Sequence, residues 1–280
     1  MQKNETFPTA LEAIFLIIFL FIIEYLLGAL FYDFRSSIDI DIQQTQGVIS
    51  LLGNGVIFCA LLYYKNMSYG SLFHFSKNSP LLTTGLLILP ISLTVPALTL
   101  FMWTSDTLLT SLFPPSEWFT ASYHRMMSNG VISIITVCIL APILEEMLFR
   151  GIILRSFLYQ YRKWPAIIGS SFIFGFAHLN IYQFVVGVVI GSILGWLYER
   201  THSLYPGIFL HSLYNSVCMY LYYTFYSEDL SYSWEPSTLH WVTAFIFAFI
   251  GTSLLRRLLS SPKAATILTL SSDNNPDKKM

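Results

Sequence analysis

Six polar side chains interrupt the apolar segments in the second half of this chain, and their types are those that perform acid–base chemistry. They are Glu145, Glu146, Arg150, His178, His211 and Asn215. Placing a charged residue at membrane depth costs roughly 2.5–3.5 kcal/mol even on the lenient insertion scale. Residues retained at that cost are candidates for function, and we treat these six as candidate catalytic residues.

Helical spacing sorts most of these residues into pairs. Residues four apart on a helix share a face, so Glu146 can pair with Arg150. By the same rule, His211 and Asn215 project together. The neighbours Glu145 and Glu146 diverge by about 100°, which gives them different surroundings. We predict that Glu145 faces the reacting centre and that the Glu146–Arg150 pair orients it.

Two glutamates, two histidines and an amide provide the groups needed for hydrolysis. A glutamate in an apolar pocket can take a proton from water, and His178 can share or steady that proton. His211 and Asn215 can donate hydrogen bonds to the oxyanion of a tetrahedral intermediate.

The same side chains leave a metal-dependent alternative open. Glu145, His178 and His211 could hold a divalent metal such as Zn²⁺, which accepts nitrogen and oxygen ligands. The sequence contains no His-Glu-x-x-His run, the best-known zinc-protease arrangement. We therefore favour water activated without a required metal cofactor.

The composition is that of an integral membrane protein. Hydrophobic residues make up 54% of the chain and charged residues 11%, and the mean hydropathy is +0.59. A spanning helix needs about 20 mostly apolar residues. We predict an all-α polytopic membrane helix bundle; the resemblance given below implies an intramembrane active-site cavity. Its eight predicted transmembrane helices lie near residues 11–32, 47–64, 82–103, 131–150, 165–179, 181–198, 205–223 and 239–255.

The distribution of basic residues predicts the orientation, because cytoplasmic loops carry an excess of Lys and Arg. With the N-terminus inside, 13 of the 15 basic residues fall on the inner side, leaving Arg35 and Arg125 outside. The outer side then holds eight acidic residues: Asp33, Asp39, Asp41, Asp106, Glu117, Glu228, Asp229 and Glu235. We predict a multi-pass protein with both termini cytoplasmic, in the inner membrane if the cell is bacterial.

The same pattern divides the chain into regions. Residues 1–129 form an N-terminal transmembrane region of three spans that ends in an outer loop, 104–129. Residues 130–223 hold the six candidate catalytic residues, residues 224–259 hold the last span, and residues 260–280 are a polar tail predicted to be disordered. The net charge of −1 averages a basic inner face with an acidic outer face, so it says nothing about a nucleic-acid partner. The sequence shows no basic nucleic-acid-binding domain, and no nucleic-acid partner is predicted.

Two other features of the spans lie outside this set of six. Gly187, Gly191 and Gly195 recur every four residues and predict a stripe where a neighbouring helix approaches closely. Glu24 is a lone carboxylate in the first span, with no partner evident from the sequence. It could be protonated, paired across helices or directed into a cavity.

The predicted spans place the two candidate histidines at different depths. If the fifth span starts at Trp164, His178 lies about 21 Å into the membrane, whereas His211 lies only about 9 Å from Tyr205. A strong tilt of the fifth helix would reduce this mismatch. An inner-face helix over residues 151–163 would do the same.

Three motifs follow one another on successive hydrophobic segments: Glu145-Glu146-x-x-x-Arg150, Phe174-x-x-x-His178 and His211-x-x-x-Asn215. Together they resemble the CAAX-protease and bacteriocin-processing (CPBP) family of intramembrane endopeptidases, which includes the type II CAAX prenyl endopeptidases. The resemblance covers roughly residues 130–223. It implies a bundle of about eight spans, an active site within the lipid bilayer, and cleavage of peptide or protein substrates, prenylated in some members.

The resemblance also implies roles for individual residues. Glu145 and His178 match the residues assigned to water activation in the family, and His211 and Asn215 match those assigned to the oxyanion. Two other classes of function stay open. One is a non-catalytic membrane immunity or scaffold protein, and the other is a transporter lined by polar residues. A transporter should show inverted-repeat halves, and none is evident between residues 1–129 and 130–255.

Overall fold

The computed structural model describes residues 6–38, 42–225 and 234–260, and the regular structure in these ranges is helical. The helices are α1 Ala10–Ile38, α2 Ile42–Lys65, α3 Tyr69–Phe73, α4 Pro80–Ser92, α5 Val95–Leu112, α6 Glu117–Ser128, α7 Gly130–Gln160, α8 Lys163–Phe176, α9 Ile181–Thr201, α10 Tyr205–Phe225 and α11 Thr238–Ser260. The tail predicted to be disordered lies outside the described residues from 261 onward.

The predicted all-α polytopic bundle is confirmed, and the structure refines the number of spans. Five helices of the described chain are long and apolar enough to cross a membrane, and the bent pair of α4 and α5 makes a sixth. The other two predicted spans are helical, but they do not meet this requirement of length and hydropathy. α8 has 14 residues, or about 21 Å of rise, and α10 has the length but carries the polar candidates His211 and Asn215.

The predicted third span, residues 82–103, is two helices. α4 and α5 meet at a bend of 51°. Pro90 lies inside α4 and Pro96 in the first turn of α5, where each removes a backbone donor. α11 packs against this bend so closely that a Cβ on Gly251 would lie 2.7 Å from the carbonyl oxygen of Pro90.

The outer region predicted as a loop over residues 104–129 is largely helical. α5 continues to Leu112, and α6 begins after a short link. Ser116 starts α6, because its Oγ accepts a hydrogen bond from the backbone N–H of Phe119. The expected long loop is thus reduced to residues 113–116.

α7 carries the two glutamates and is longer than the predicted span 131–150. It contains two π-helical stretches, Thr136–Leu140 and Met147–Leu154, on either side of the glutamates. Such stretches are frequent at functional sites because they redirect the side chains around them. Residues 151–160 continue this helix into the core, so they do not form the separate inner-face helix considered above.

α8 and α9 form a tightly packed helical hairpin. The predicted glycine stripe explains the close approach, since a Cβ on Gly187 would lie 3.1 Å from the Cα of Gly175. The turn between the helices contains His178. Leu179 adopts a positive φ of 56° there, and the side chain of Asn180 caps α9 by accepting from the backbone of Gln183.

The predicted inner segments meet at one end of the bundle. Three contacts join them: Lys65 Nζ to the Phe7 carbonyl at 2.7 Å, Gln160 Nε2 to the Pro8 carbonyl at 3.0 Å, and Lys163 Nζ to Glu199 Oε2 at 2.6 Å. At the opposite end, the hydroxyl of Tyr182 donates to the carbonyl of Phe113 at 2.6 Å. The structure therefore groups the predicted inner and outer segments separately.

Candidate active site

A buried ion pair lies at the centre of the candidate site. Nη1 of Arg150 donates to Oε1 of Glu146 at 2.7 Å, and both side chains are 1% exposed. The second guanidinium nitrogen, Nη2, donates to the carbonyl oxygen of Gly191 at 3.2 Å. The predicted Glu146–Arg150 pair is therefore present, and the arginine also ties α7 to α9.

His211 joins α10 to this pair. Its Nδ1 lies 3.2 Å from Oε1 of Glu146, the oxygen that also accepts from Arg150. Its Nε2 lies 3.7 Å from Oε2 of Glu145, beyond ordinary hydrogen-bond distance. One imidazole thus contacts both glutamates, with Nδ1 directed to Glu146 and Nε2 towards Glu145.

The two glutamates have different environments, as their divergence on the helix predicts. Glu146 is buried, whereas the Glu145 side chain is 28% exposed and lines a cavity of about 120 Å³. His178 lines the same cavity. A single water needs roughly 10–15 Å³ of such volume, so the cavity has room for several waters beside Glu145.

Phe174 is the aromatic centre of the site. Its buried ring meets that of His178 edge-on at 5.2 Å and that of His211 at 5.8 Å between centroids. The guanidinium carbon of Arg150 lies 4.5 Å from the centre of the same ring. The sequence paired Phe174 only with His178. The structure shows that one ring contacts three of the six candidates.

The two histidines predicted to lie at different depths border the same ring in the structure. His178 lies in the turn after α8, and Phe174 lies one helical turn before it. Because Phe174 contacts His211 as well, both imidazoles border the same aromatic side chain. The fifth segment, α8, is also shorter than a full span, with about 21 Å of rise.

Asn215 is positioned differently from the other five candidates. Its Nδ2 donates to the carbonyl of Val137 at 2.8 Å, in the first π-helical stretch of α7. The change from α-helical to π-helical hydrogen bonding leaves the carbonyl of Val137 free to accept another donor, and the side-chain amide of Asn215 supplies it. The contact links α10 to α7 near the site. Of the six candidates, only Glu145 and His178 are among the residues that line the cavity.

The metal alternative depends on side chains gathering as ligands. Within residues 6–38, 42–225 and 234–260, no three His, Cys, Asp or Glu side chains form a group that could hold a metal ion. Glu146 is engaged by Arg150 and His211, while Glu145 and His178 border the cavity. The described side chains are thus not gathered as three ligands in this arrangement, and the choice between a metal-free and a metal-dependent site stays a prediction.

Glycines that the motifs do not contain make room for the ion pair. A Cβ on Gly191 would lie 3.3 Å from Nη2 of Arg150, and one on Gly207 would lie 2.9 Å from Oε2 of Glu146. The four-residue glycine repeat signalled helix packing at Gly191 but not its carbonyl contact with Arg150. No spacing rule indicated Gly207.

Arg150→Met should destabilise the protein by about 3–5 kcal/mol, because it leaves a carboxylate buried without its cation. Adding Glu146→Gln should restore part of this loss, since the remaining side chain is then neutral. The free energy of unfolding in detergent measures both effects. Lys163→Met is the control, because the part-exposed pair with Glu199 should contribute only about 0–1 kcal/mol. Equal losses in Arg150→Met and Lys163→Met would contradict this account.

Comparison with known proteins identifies the segment that holds the site. Residues 127–217 match the family model described as Type II CAAX prenyl endopeptidase Rce1-like. The chain is 34% identical over 83 residues to the protein named "Putative membrane peptidase YdiL" from Bacillus subtilis (strain 168), covering 30% of this chain and 34% of that protein. It is also 34% identical over 84 residues to "UPF0177 protein YaiF" from Lactococcus lactis subsp. lactis (strain IL1403), covering 30% of this chain and 37% of that protein.

These similarities are local. The chain matches about a third of the length of each of the two curated relatives. No solved structure matches the chain. All six candidate residues nevertheless fall inside the segment matched by the family model. Residues 127–217 of this integral membrane protein are therefore similar to the Rce1-like CAAX prenyl endopeptidases, consistent with the CPBP family.

Proposed function

We propose that this protein is an intramembrane endopeptidase that hydrolyses a peptide bond within the bilayer. The observation that carries the proposal is the cavity shared by Glu145 and His178, with the buried Glu146–Arg150 pair behind it. A water-accessible carboxylate beside a histidine is the arrangement that activates water. The family match over the same residues supports this chemistry.

Glu145 acts as the general base in this proposal. Its carboxylate borders a cavity that has room for water, and its Oε2 has no hydrogen-bond partner among the described residues. As the water oxygen attacks the scissile carbonyl carbon, one water proton passes to Glu145. His178 steadies the water on the same side of the cavity, and Phe174 fixes the histidine ring by edge-on contact.

His211 donates to the oxyanion that forms in this step. When Nδ1–H donates to Glu146, a protonated imidazole directs Nε2–H towards the Glu145 side of the site. The Asn215 amide has two N–H groups, and one of them donates to Val137. We assign the other N–H to the same oxyanion. This role requires that the substrate carbonyl reach Asn215 when the substrate enters the site.

Collapse of the tetrahedral intermediate completes the reaction. The carbon–nitrogen bond breaks as the proton held by Glu145 passes to the leaving nitrogen, which departs as an amine. The other product is a carboxylic acid, and Glu145 returns to its carboxylate form. The Glu146–Arg150 pair takes no part in these transfers and positions His211.

The substrate in this proposal is a peptide or a membrane protein. Whether it carries a prenyl group is the question that the cleavage test addresses. A prenyl chain would be dissolved in the same bilayer that surrounds the helices. The cleavage test therefore uses matched peptides with and without a farnesyl group. Adding a chelator in the same experiment tests whether cleavage depends on a divalent metal.

Glu145→Gln and His178→Ala should each lower peptide cleavage by about 10²–10⁴-fold, because each removes a group that handles the water proton. Quenched fluorescent peptides, farnesylated at a CAAX cysteine or unprenylated, report cleavage by detergent-purified protein. Glu199→Gln is the control, since this carboxylate pairs with Lys163 away from the cavity. We expect activity to persist in chelator.

Three results would count against parts of the proposal. Full cleavage by folded Glu145→Gln would remove the assigned base. Loss of cleavage in chelator, with recovery on adding Zn²⁺, would replace the metal-free mechanism by a metal-dependent one. A folded wild-type protein that cleaves none of the peptides, with or without added metal, would favour the non-catalytic alternative.

We further propose that the basic inner segments face the cytoplasm, with both termini on that side. The structure groups these segments at one end, and the excess of Lys and Arg predicts that this end is cytoplasmic. An impermeant thiol reagent should label Glu117→Cys in intact cells and Lys77→Cys only after permeabilisation, in a background lacking Cys59, Cys138 and Cys218. The reverse pattern would contradict this orientation.

A further inference from the structure

The carboxylate in the middle of the first span, Glu24, lies at the candidate active site. Glu24 lines the cavity that also contains Glu145 and His178. Its Oε1 accepts hydrogen bonds from Oγ of Ser50 at 2.9 Å and from Nδ2 of Asn54 at 3.4 Å. The residue that had no partner in the sequence therefore has two on α2, and it faces the reacting groups across the cavity.

The position of Glu24 is fixed by the helix beside it. A Cβ on Gly53 would lie 2.8 Å from Cγ of Glu24, so the glycine provides the space that the carboxylate side chain occupies. Asn54 is buried, and its Nδ2 also donates to the backbone carbonyl of Ser50 at 3.0 Å. These contacts hold Oε1 against α2 and orient the carboxylate within the cavity wall.

The lining of the cavity is acidic and aromatic. Its charged lining residues are Glu24 and Glu145, and it contains three phenylalanines, Phe21, Phe149 and Phe174. Neither lysine nor arginine is among the described residues that line it. Carboxylates and aromatic faces both attract cations, especially where water is excluded. The surroundings therefore favour a positively charged group.

We propose that Glu24 is a specificity-determining residue that binds a lysine or arginine side chain of the substrate, next to the bond that Glu145 hydrolyses. This inference rests on the proposed function. The carboxylate forms a charge-assisted hydrogen bond with the substrate cation, and the neighbouring phenylalanine rings contact the side chain. Peptides with a basic residue at that position are the substrate class that the cavity selects.

A purely structural role for Glu24 makes a different prediction. Joining α1 to α2 requires only an acceptor for Ser50 and Asn54, and the amide oxygen of glutamine supplies one. Binding a cation requires the negative charge, which glutamine lacks. Glu24→Gln therefore separates the two roles while leaving the hydrogen bonds between the helices in place.

The experiment compares cleavage of peptides that differ at one residue near the scissile bond, which is lysine, norleucine or glutamate. Wild type should cleave the lysine peptide with a kcat/KM about tenfold above that of the norleucine peptide, through KM, as expected for one charged hydrogen bond. Glu24→Gln should bring this ratio close to one by raising KM for the lysine peptide. Glu24→Lys should favour the glutamate peptide.

Glu12→Gln is the matched control, because it removes a carboxylate from the same helix at an exposed position. It should keep the wild-type preference. A lysine preference that persists unchanged in Glu24→Gln would overturn the inference. An equal loss of kcat on all peptides would also overturn it, because Glu24 would then act in the chemistry or in the fold.

A binding measurement distinguishes failure of this inference from failure of the proposed function. Fluorescence anisotropy compares the labelled lysine and norleucine peptides on Glu145→Gln, in which the proposed base is absent. The lysine peptide should bind about tenfold more tightly, and adding Glu24→Gln should equalise the two affinities. A binding difference without cleavage by wild type would support recognition and contradict proteolysis. Equal binding of both peptides would overturn the inference.

Discussion

The rest of the site depends on a charge pair that is almost completely removed from solvent. Glu146 and Arg150 could not remain ionised separately at this depth, because burying a single charge costs several kcal/mol. Their mutual contact offsets this cost more fully when further donors and acceptors are supplied. Arg150 reaches Gly191 on α9, and Oε1 of Glu146 also contacts His211 of α10, whereas Oε2 of Glu146 has no hydrogen-bond partner among the described residues. The electrostatic requirement of one pair brings three helices together.

The surrounding packing serves the same requirement. Close approach of α8 and α9 along the glycine stripe brings Phe174 beside Arg150, where its ring contacts both histidines. π-helical stretches precede and follow the glutamates on α7, and they change the directions of the side chains there. As a result, Glu145 borders the cavity while its neighbour is enclosed. The adjacent glutamates therefore have different surroundings: Glu145 is available to water, and Glu146 pairs with Arg150.

Helical periodicity was sufficient to predict contacts within one element. The four-residue spacing of Glu146 and Arg150 predicted their pairing, and hydrophobic runs located the helical segments. Contacts between elements were beyond such reasoning, because they depend on how helices pack. The Gly191 carbonyl, the space at Gly207 and the hydrogen bonds from α2 to Glu24 belong to this class. Span counting placed one segment over α4 and α5, and the hydropathy pattern alone does not give the 51° bend between them.

The buried pair of Glu146 and Arg150 positions the catalytic groups. Adding one methyl group beside this pair, by replacing a glycine with alanine, tests that claim. A Cβ at Gly207 would lie 2.9 Å from Oε2 of Glu146, whereas one at Gly169 would meet nothing closer than 3.8 Å. Peptide cleavage by folded Gly207→Ala should fall by about 10²-fold, the cost of misplacing reacting groups by about 1 Å. Gly169→Ala should retain wild-type cleavage. Equal activity of the two folded variants would contradict the claim.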